Sequence, residues 1–214
     1  MNLSLRLLLA LPLSLALAGC PPVVGNDDDS GDDDDDSTEE VDFAMWGPDH
    51  ITPVPYAHNY DCEQTLPPAN SCYNPNPEIA WEGAPEGTES FVLIFDDPTA
   101  GDFPHWAILN IPGDATGLAA DSSGDGASGS IPSGSTELDN GFGYEGYLGS
   151  CPGGTNEYRW RLWALDTELD ASLYTALGNA GAAYDALASD AEDNAIEMVS
   201  MCHVFRGSDA PVGR

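Results

Sequence analysis

The stretch NPEIAWEGAPEGTESFVLIFDDPTA, residues 76–100, decides the fold of this chain. Within it, Ser90–Phe95 is a short apolar run with Gly87 before it and the turn-forming triplet Asp96–Pro98 after it. A run of this length between turn signals is typical of a β-strand. Because its large residues do not alternate with polar ones, we predict a central strand that is buried on both faces.

The segments on either side follow related patterns. A second apolar run, residues 106–111, predicts another central strand, and residues 158–165 alternate so that a third strand carries large side chains on both faces. Residues 171–190 are rich in Ala and Leu at helical spacing, and residues 196–205 are predicted to form a last strand. Residues 114–140, mostly Gly, Ser and Asp, predict a long surface loop. The predicted fold class is therefore mainly β with a few helices, an α+β protein.

Four sequence blocks carry a resemblance to a known family. They are residues 76–100, HWAILNIP (105–112), NGFGYEGYLGSCPGG (140–154) and YRWRLWALD (158–166). In this order and at this spacing they resemble the phosphatidylethanolamine-binding protein family, in its bacterial Raf-kinase-inhibitor-like branch, over about residues 74–170. The resemblance implies an antiparallel β-sandwich core with a C-terminal helix. It also implies a small preformed pocket that binds an anion such as phosphate or a phospholipid headgroup.

The resemblance places ligand-binding residues on this sequence. It implies that Asp97, at the end of the first strand, orients the imidazole of His105, which can donate a ring N–H to an oxyanion. Backbone N–H groups of residues 149–154 can form a concave nest for the same charge. The other residues that the resemblance implies as pocket lining are Phe103, Pro104, Tyr144, Gly149, Ser150 and Pro152.

One departure from the family pattern changes the expected chemistry. The family has a His-Arg-Tyr triplet where this chain has Tyr158-Arg159-Trp160, so a tyrosine replaces the second pocket histidine. Tyr158 can donate a neutral hydrogen bond but cannot become a cation. We therefore expect a pocket that holds a doubly anionic phosphate less well and favours a less charged ligand. The scarce cations Arg159 and Arg161 are expected to pair with local carboxylates.

The N-terminus is predicted to be a lipoprotein signal peptide, residues 1–19. Arg6 precedes an apolar run, residues 7–18, that is too short to span a bilayer. Leu17–Cys20 matches a lipobox, which makes Cys20 the lipidated first residue of the mature protein. Acyl chains such as palmitate then anchor the protein stably to a membrane. The alternative is an ordinary secretory signal followed by a chance cysteine.

Residues 20–42 are predicted to be a disordered tether, and residues 43–214 a single folded domain. Eleven acidic residues lie between Asp27 and Asp42, and such a segment repels itself and buries too little apolar surface to fold. A metal-binding tail is the alternative, but the Gly turn and terminal Glu of a calcium loop are missing. Because Pro21 replaces the Asp that signals inner-membrane retention, we predict lipid anchoring in the bacterial cell envelope at the outer membrane, facing the periplasm or the surface.

The predicted domain is strongly acidic. Of the 37 acidic residues of the chain, 26 lie beyond the tether, against four arginines and no lysine, which is a formal charge of −22. A field of this sign repels polyanions. We therefore expect no nucleic-acid partner.

The cysteines indicate an oxidising compartment. Once Cys20 is assigned to lipid, four cysteines remain for two disulfides, with three possible connectivities. Cys62 and Cys72 flank a Pro-rich turn, so we predict that they pair locally and that Cys151 pairs with Cys202. A zinc site is the alternative, although paired CxxC units are missing.

The sequence shows no nucleophile–base motif, metal-ligand spacing or cofactor loop, so we predict a protein without enzymatic activity, metal or cofactor. The first hypothesis is a membrane-anchored protein that binds a small anion or a phospholipid headgroup. The alternative is an interaction protein that inhibits a protease or kinase-like partner through its rim loops. A hydrolase built on Asp97 and His105 is least favoured, because the two residues lack an activated nucleophile.

Overall fold

The apolar run quoted first forms the centre of the structure. The computed structural model describes residues 41–47, 72 and 75–209, and in it all eight residues of β3 (Ser90–Asp97) are buried. This strand pairs antiparallel with β4 (Phe103–Pro112) on one side and β7 (Thr155–Leu165) on the other. The prediction of two adjacent strands buried on both faces is confirmed.

The strands form two antiparallel sheets. The larger has five strands in the order β6-β4-β3-β7-β8, with β6 at Thr136–Glu137 and β8 at Ala195–Arg206. The smaller has three strands in the order β1-β2-β5, which span Ala44–Trp46, Ile79–Glu82 and Gly117–Leu118. The predicted last strand is therefore confirmed as β8.

The two faces of the large sheet pack against different partners. Phe91, Leu93 and Phe95 point into a core shared with the small sheet, whereas Val92 and Ile94 point into a second core shared with the helices. The alternation arises because successive strand residues face opposite sides. Four tryptophans are fully buried in these cores: Trp81, Trp106, Trp160 and Trp163. The predicted α+β class is confirmed.

The helical segment is divided in two. Helix α1 (Ala171–Thr175) and helix α2 (Ala180–Asp193) replace the single stretch predicted for residues 171–190. Between them Gly178 has a φ of +62°, a conformation that favours glycine, and the Asn179 side chain accepts a hydrogen bond from the Ala182 N–H as the N-cap of α2. Within the described ranges, no helix has the length and apolar character needed to cross a membrane.

The segment predicted as a surface loop, residues 114–140, is tied to both sheets. It contains β5 and β6, and Leu118 and Leu138 are buried. The amide of Asn76 accepts from the backbone N–H groups of Ser122 and Ser123, at 2.8 and 3.0 Å. The Gly- and Ser-rich composition does not show these anchors, because a few buried side chains supply them.

Candidate functional site

Asp97 lies where β3 turns toward β4. It is the last residue of β3, and its side chain caps a 3-10 turn, Pro98–Ala100, by accepting from the Ala100 N–H at 2.9 Å. The other carboxylate oxygen accepts from the Asn156 amide at 2.6 Å. The carboxyl group is buried, and these two bonds hold its orientation.

His105 lies near the start of β4 and is linked to the loop before β7. Its Nδ1 donates to the carbonyl oxygen of Leu148 at 2.7 Å, and the Leu148 N–H donates to the His105 carbonyl at 2.9 Å. A carbonyl only accepts, so the proton of the neutral ring is on Nδ1, and Nε2 is the nitrogen left for a ligand. Burial lowers the pKa of His105 below its ordinary value, while the Leu148 carbonyl and the charges of Asp97 and Asp96 act in the opposite direction.

Tyr158 closes the same space from β7. Its ring makes an edge contact with the His105 ring, with centroids 5.2 Å apart, and stacks on the His203 ring at 5.1 Å. Burial raises the pKa of its phenol, and so do the charge of Asp97 and a hydrogen bond to it; hydrogen bonds from Ser150 and the Cys151 backbone oppose the rise. The phenol therefore stays neutral.

These three side chains share one cavity of about 270 Å³. Six of the residues implied by the resemblance line it: Asp97, Phe103, His105, Gly149, Pro152 and Tyr158. The fold thus brings together residues from β3, β4, β7 and the loop that precedes β7. Whether they bind a ligand stays a prediction.

Three other implied residues do not line this cavity. The Pro104 carbonyl accepts from the Gly141 N–H at 2.9 Å, and the Ser150 hydroxyl is buried against His203 Nε2 at 3.2 Å. Tyr144 lies further out, 43 % exposed, with its ring 6.4 Å from that of Phe142. Pro104 and Ser150 are buried next to lining residues of the chain, and Tyr144 lies at the rim beside Phe142.

Two backbone N–H groups of the Gly-rich loop, those of Gly149 and Cys151, have partners within the fold. The Gly149 N–H donates to the Cys72 carbonyl at 3.0 Å, and the Cys151 N–H interacts with the Tyr158 hydroxyl. Groups engaged in this way cannot also converge on an anion. The nest expected from residues 149–154 stays a prediction, to which these two N–H groups do not contribute.

The predicted disulfide pairing is wrong. Cys72 is bonded to Cys151, with Cα atoms 4.6 Å apart, which excludes both Cys62–Cys72 and Cys151–Cys202. Cys202 is also disulfide-bonded, whereas Cys62 lies outside the described residues, as do Cys20, the signal peptide and nearly all of the predicted tether. Backbone hydrogen bonds join Cys72 to residues 149 and 150. The fold thus brings a loop that is distant in sequence into contact with Cys72.

The sequence-based interpretation missed several residues of this wall. Asn156 is two residues before Tyr158 on β7, so the strand period places both on one face; that signal was available. Phe142 and Leu148 fall in a resembling block but were not singled out. The cavity residues not predicted as ligand-binding are Cys72, Ala100, Phe142, Leu148, Cys151 and Asn156.

The cavity contains one charged side chain among its described lining residues, that of Asp97. Arg159 binds Asp96 through two nitrogens, at 2.9 and 2.7 Å, and also Asp102. Arg161 binds Asp96 as well. The prediction that both arginines pair with local carboxylates is confirmed, and neither lines the cavity.

Comparisons with known proteins agree with this architecture. A family model described as phosphatidylethanolamine-binding protein matches residues 54–205. A UPF0098 protein of Methanothermobacter thermautotrophicus is 39% identical over 118 residues, which cover 53% of this chain and 76% of that protein. The putative lipoprotein LppC of Mycobacterium tuberculosis is 34% identical over 111 residues, 49% of this chain and 51% of LppC. The crystal structure of Escherichia coli YbcL, described as a new member of the mammalian PEBP family, is similar with a TM-score of 0.60 and 25% identity, over 78% of this chain and 99% of that one.

Proposed function

This chain belongs to the phosphatidylethanolamine-binding protein family, and from that premise we propose that it is a non-enzymatic binding protein whose cavity holds a phospholipid headgroup or a similar small molecule. The observation that carries the proposal is the cavity formed by Asp97, His105 and Tyr158. Its volume of about 270 Å³ lies just below the usual range for drug-sized ligands. A ligand of headgroup size fits that volume.

The arrangement of polar groups argues for binding without chemistry. Ser150 and His203 form a hydroxyl–imidazole pair at 3.2 Å, which on its own suggests a nucleophile and its base. However, Trp160 Nε1 donates to His203 Nδ1 at 3.1 Å, so the proton of the neutral ring is on Nε2. His203 then donates to Ser150 and cannot accept its proton.

The location of the protein is part of the proposal. The similarity to a putative lipoprotein supports a lipid anchor at Cys20, after a signal peptide of residues 1–19. The acidic tether of residues 20–42 holds the domain close to a membrane of the cell envelope, which we place at the outer membrane. Anchoring supplies a proximity that the charge of the domain does not, since anionic lipids repel it.

A second function is supported by the rim of the cavity. Phe142 is 62% exposed and Tyr144 is 43% exposed, and exposed neighbouring aromatics are typical of protein interfaces. This favours the alternative of an inhibitor-like protein that contacts a protease or kinase-like partner through its rim loops.

Thermal unfolding of the full chain with phosphoethanolamine tests the first function. A ligand at about one hundred times its dissociation constant stabilises the fold by about 2.7 kcal/mol, which raises the Tm by about 5–10 °C for a domain of this size. We expect His105→Ala to abolish the rise. Asp102→Asn is the matched control, because Asp102 is nearby and exposed but does not line the cavity.

Native mass spectrometry, before and after denaturation, adds an independent measurement. A small molecule that leaves on denaturation supports the binding function. The absence of any such molecule, together with an unchanged Tm for phosphoethanolamine and inorganic phosphate, contradicts it and favours the protein-partner alternative.

A further inference from the structure

We infer that the disulfide between Cys72 and Cys151 is a redox switch for the cavity, so that the oxidised chain holds its ligand and reduction by a dithiol weakens binding. The inference rests on the proposed binding function and adds a way of regulating it. It follows from the position of the disulfide in the cavity wall, from its exposure, and from the contacts that join this wall to His105 and Tyr158.

The disulfide is part of the cavity wall. Cys72 and Cys151 both line the cavity of about 270 Å³, and the bond between them closes a sequence separation of 79 residues. A disulfide that only stabilised the fold would not need to border the space that a ligand occupies. Loss of this one changes the wall of the cavity as well as the stability of the chain.

A short wall segment, residues 148–151, connects the disulfide to the polar groups of the cavity. At one end, the Leu148 N–H donates to the His105 carbonyl at 2.9 Å, and the Leu148 carbonyl accepts from His105 Nδ1 at 2.7 Å. At the other end, the Cys151 N–H interacts with the Tyr158 hydroxyl. A displacement of the wall segment therefore moves hydrogen-bond partners of both rings.

Among the described residues, three bonds hold the wall segment against Cys72. Two are backbone hydrogen bonds of 3.0 Å, from the Cys72 N–H to the Ser150 carbonyl and from the Gly149 N–H to the Cys72 carbonyl, and the third is the disulfide. Cys72 has a φ of +55°, a left-handed conformation that a residue other than glycine keeps only while its contacts outweigh the cost. Reduction removes the covalent contact, so it favours release of Cys72 from the wall segment.

The two disulfide-bonded sites differ in access. Cys151 is exposed and Cys72 is half-buried, whereas Cys202, which is also disulfide-bonded, is only 9% exposed. Exposed disulfides are the ones that thiols reduce readily, because exchange requires a thiolate to reach one of the sulfur atoms. A dithiol should therefore reduce the bond in the cavity wall before the bond of Cys202.

The reaction is a thiol–disulfide exchange with a dithiol as the reductant. One thiolate of the dithiol attacks Sγ of Cys151, the bond to Cys72 breaks, and the Cys72 thiolate takes up the proton that the attacking thiol had lost. The second thiol of the reductant then attacks the mixed disulfide and releases Cys151 as a thiol. Two electrons pass from the dithiol to the chain, and the dithiol leaves as a disulfide.

Thermodynamic linkage makes the switch act in both directions. If the oxidised chain binds a ligand tenfold more tightly than the reduced chain, a saturating ligand stabilises the oxidised form by the same factor. For a two-electron couple, a tenfold change in equilibrium constant corresponds to about 30 mV. A bound ligand should therefore shift the midpoint of reduction by about 30 mV toward more negative potentials.

Differential alkylation of the full chain tests the access of the bond. The chain is equilibrated in buffers of reduced and oxidised dithiothreitol, free thiols are alkylated, and each cysteine peptide is quantified by mass spectrometry. We expect Cys72 and Cys151 to be alkylated together, at less reducing potentials than Cys202, and saturating phosphoethanolamine to shift their midpoint by about 30 mV. A midpoint that phosphoethanolamine does not move, although the oxidised chain binds it, would overturn the inference.

Calorimetric titration with phosphoethanolamine then compares the oxidised chain with the chain in which only Cys72 and Cys151 are reduced. We expect the reduced chain to bind about tenfold more weakly or worse, and reoxidation to restore the affinity. Circular dichroism shows whether the reduced chain is folded. A reduced chain that has unfolded, or a folded one of unchanged affinity, would show that the bond serves stability alone.

A double variant separates this disulfide from the one that contains Cys202. In Cys72→Ser, Cys151→Ser the wall is permanently open, so we expect the affinity of the reduced native chain and no response to dithiothreitol. A response that persists in the folded variant would assign the redox effect to Cys202 and contradict the inference.

The outcomes also separate the inference from the function on which it rests. If the oxidised chain binds neither phosphoethanolamine nor inorganic phosphate, the binding function is contradicted and the inference falls with it. If the oxidised and reduced chains bind these probes equally well, the inference is wrong and the binding function stands.

Discussion

Nδ1 of His105 lies 2.7 Å from the carbonyl oxygen of Leu148, and this bond sets how the imidazole faces the cavity. It joins the start of β4 to the loop before β7. Because the Nδ1 N–H donates its hydrogen bond to the carbonyl, the ring can present an N–H at Nε2 only after it gains a second proton. The charge state of one residue therefore decides whether the cavity offers an acceptor or a donor.

The lowered pKa of His105 predicts a pH dependence of stability. Burial is the main cause, and the ordinary value is 6.5. Since the unfolded chain binds the proton more readily than the folded one, the contribution of His105 is fully present above about pH 6.5 and is lost as the pH falls through the folded pKa. We expect the free energy of unfolding in urea to fall between about pH 7 and pH 5.

His105→Asn isolates that contribution. The Asn amide can still donate to Leu148 but does not titrate in this range. The variant should lose less stability than the native chain over the same pH interval. Parallel losses in both proteins would contradict the assignment to His105.

We expect substitution of Asp96 to lower the free energy of unfolding far more than substitution of Asp102. Asp96 is buried and binds both Arg159 and Arg161, whereas the Asp102 side chain is 58% exposed and binds Arg159 alone. Asp96→Asn should lower the free energy of unfolding by about 3 kcal/mol, and Asp102→Asn by less than about 1 kcal/mol. Equal effects in denaturant titrations would show that burial does not govern this network.

We expect removal of the disulfide between Cys72 and Cys151 to lower the stability of the fold and to alter the cavity wall. It closes a sequence separation of 79 residues, so chain-entropy arguments give about 4–5 kcal/mol of stabilisation. The double variant Cys72→Ser, Cys151→Ser should lower the Tm accordingly. It should also weaken phosphoethanolamine binding, because both cysteines line the cavity; a lower Tm with unchanged affinity would mean that the bond stabilises the fold alone.

We expect a side chain at Gly141 to displace the Phe103 ring at the rim of the cavity. A Cβ at this position would lie 2.3 Å from the Phe103 ring, so Gly141→Ala must displace that ring at a cost of about 1–3 kcal/mol. We expect altered aromatic chemical shifts of Phe103 and weaker binding of phosphoethanolamine. Gly153→Ala is the control, since a Cβ there meets nothing within 4 Å.

We expect removal of the hydroxyl group to change the free energy of unfolding differently at two buried tyrosines, Tyr184 and Tyr174, on the helical side of the large sheet. The Tyr184 hydroxyl is buried and has no hydrogen-bond partner among the described residues, whereas the Tyr174 hydroxyl donates to Asp190 at 2.7 Å. Tyr184→Phe should leave the free energy of unfolding unchanged or raise it by up to about 1 kcal/mol, and Tyr174→Phe should lower it by about 1 kcal/mol. Urea titrations that show a loss for Tyr184→Phe would reveal a partner for its hydroxyl.

Much of the fold could be predicted because its signals are local. Ser90–Phe95 is apolar without interruption, and a strand of that kind is stable only in the middle of a sheet. The division of the helical segment at Gly178 could not be predicted, because Ala and Leu continue on both sides of the break. The anchoring of residues 114–140 was missed for a related reason, since Asn76, which lies far away in sequence, supplies its hydrogen bonds.

The sequence by itself determined the four long strands β3, β4, β7 and β8, the two-sided burial of β3 and β4, and the family, which placed Asp97 and His105 together. Only the tertiary structure decided that Cys72 bonds Cys151, that the Asn156 amide donates to Asp97, and that the Leu148 carbonyl accepts a hydrogen bond from His105. The physical reason is the sequence separation of the residues in contact. A burial pattern can be recognised from residues that are neighbours in sequence, whereas these contacts join residues 79, 59 and 43 positions apart. Only the antiparallel packing of distant segments brings such residues within bonding distance.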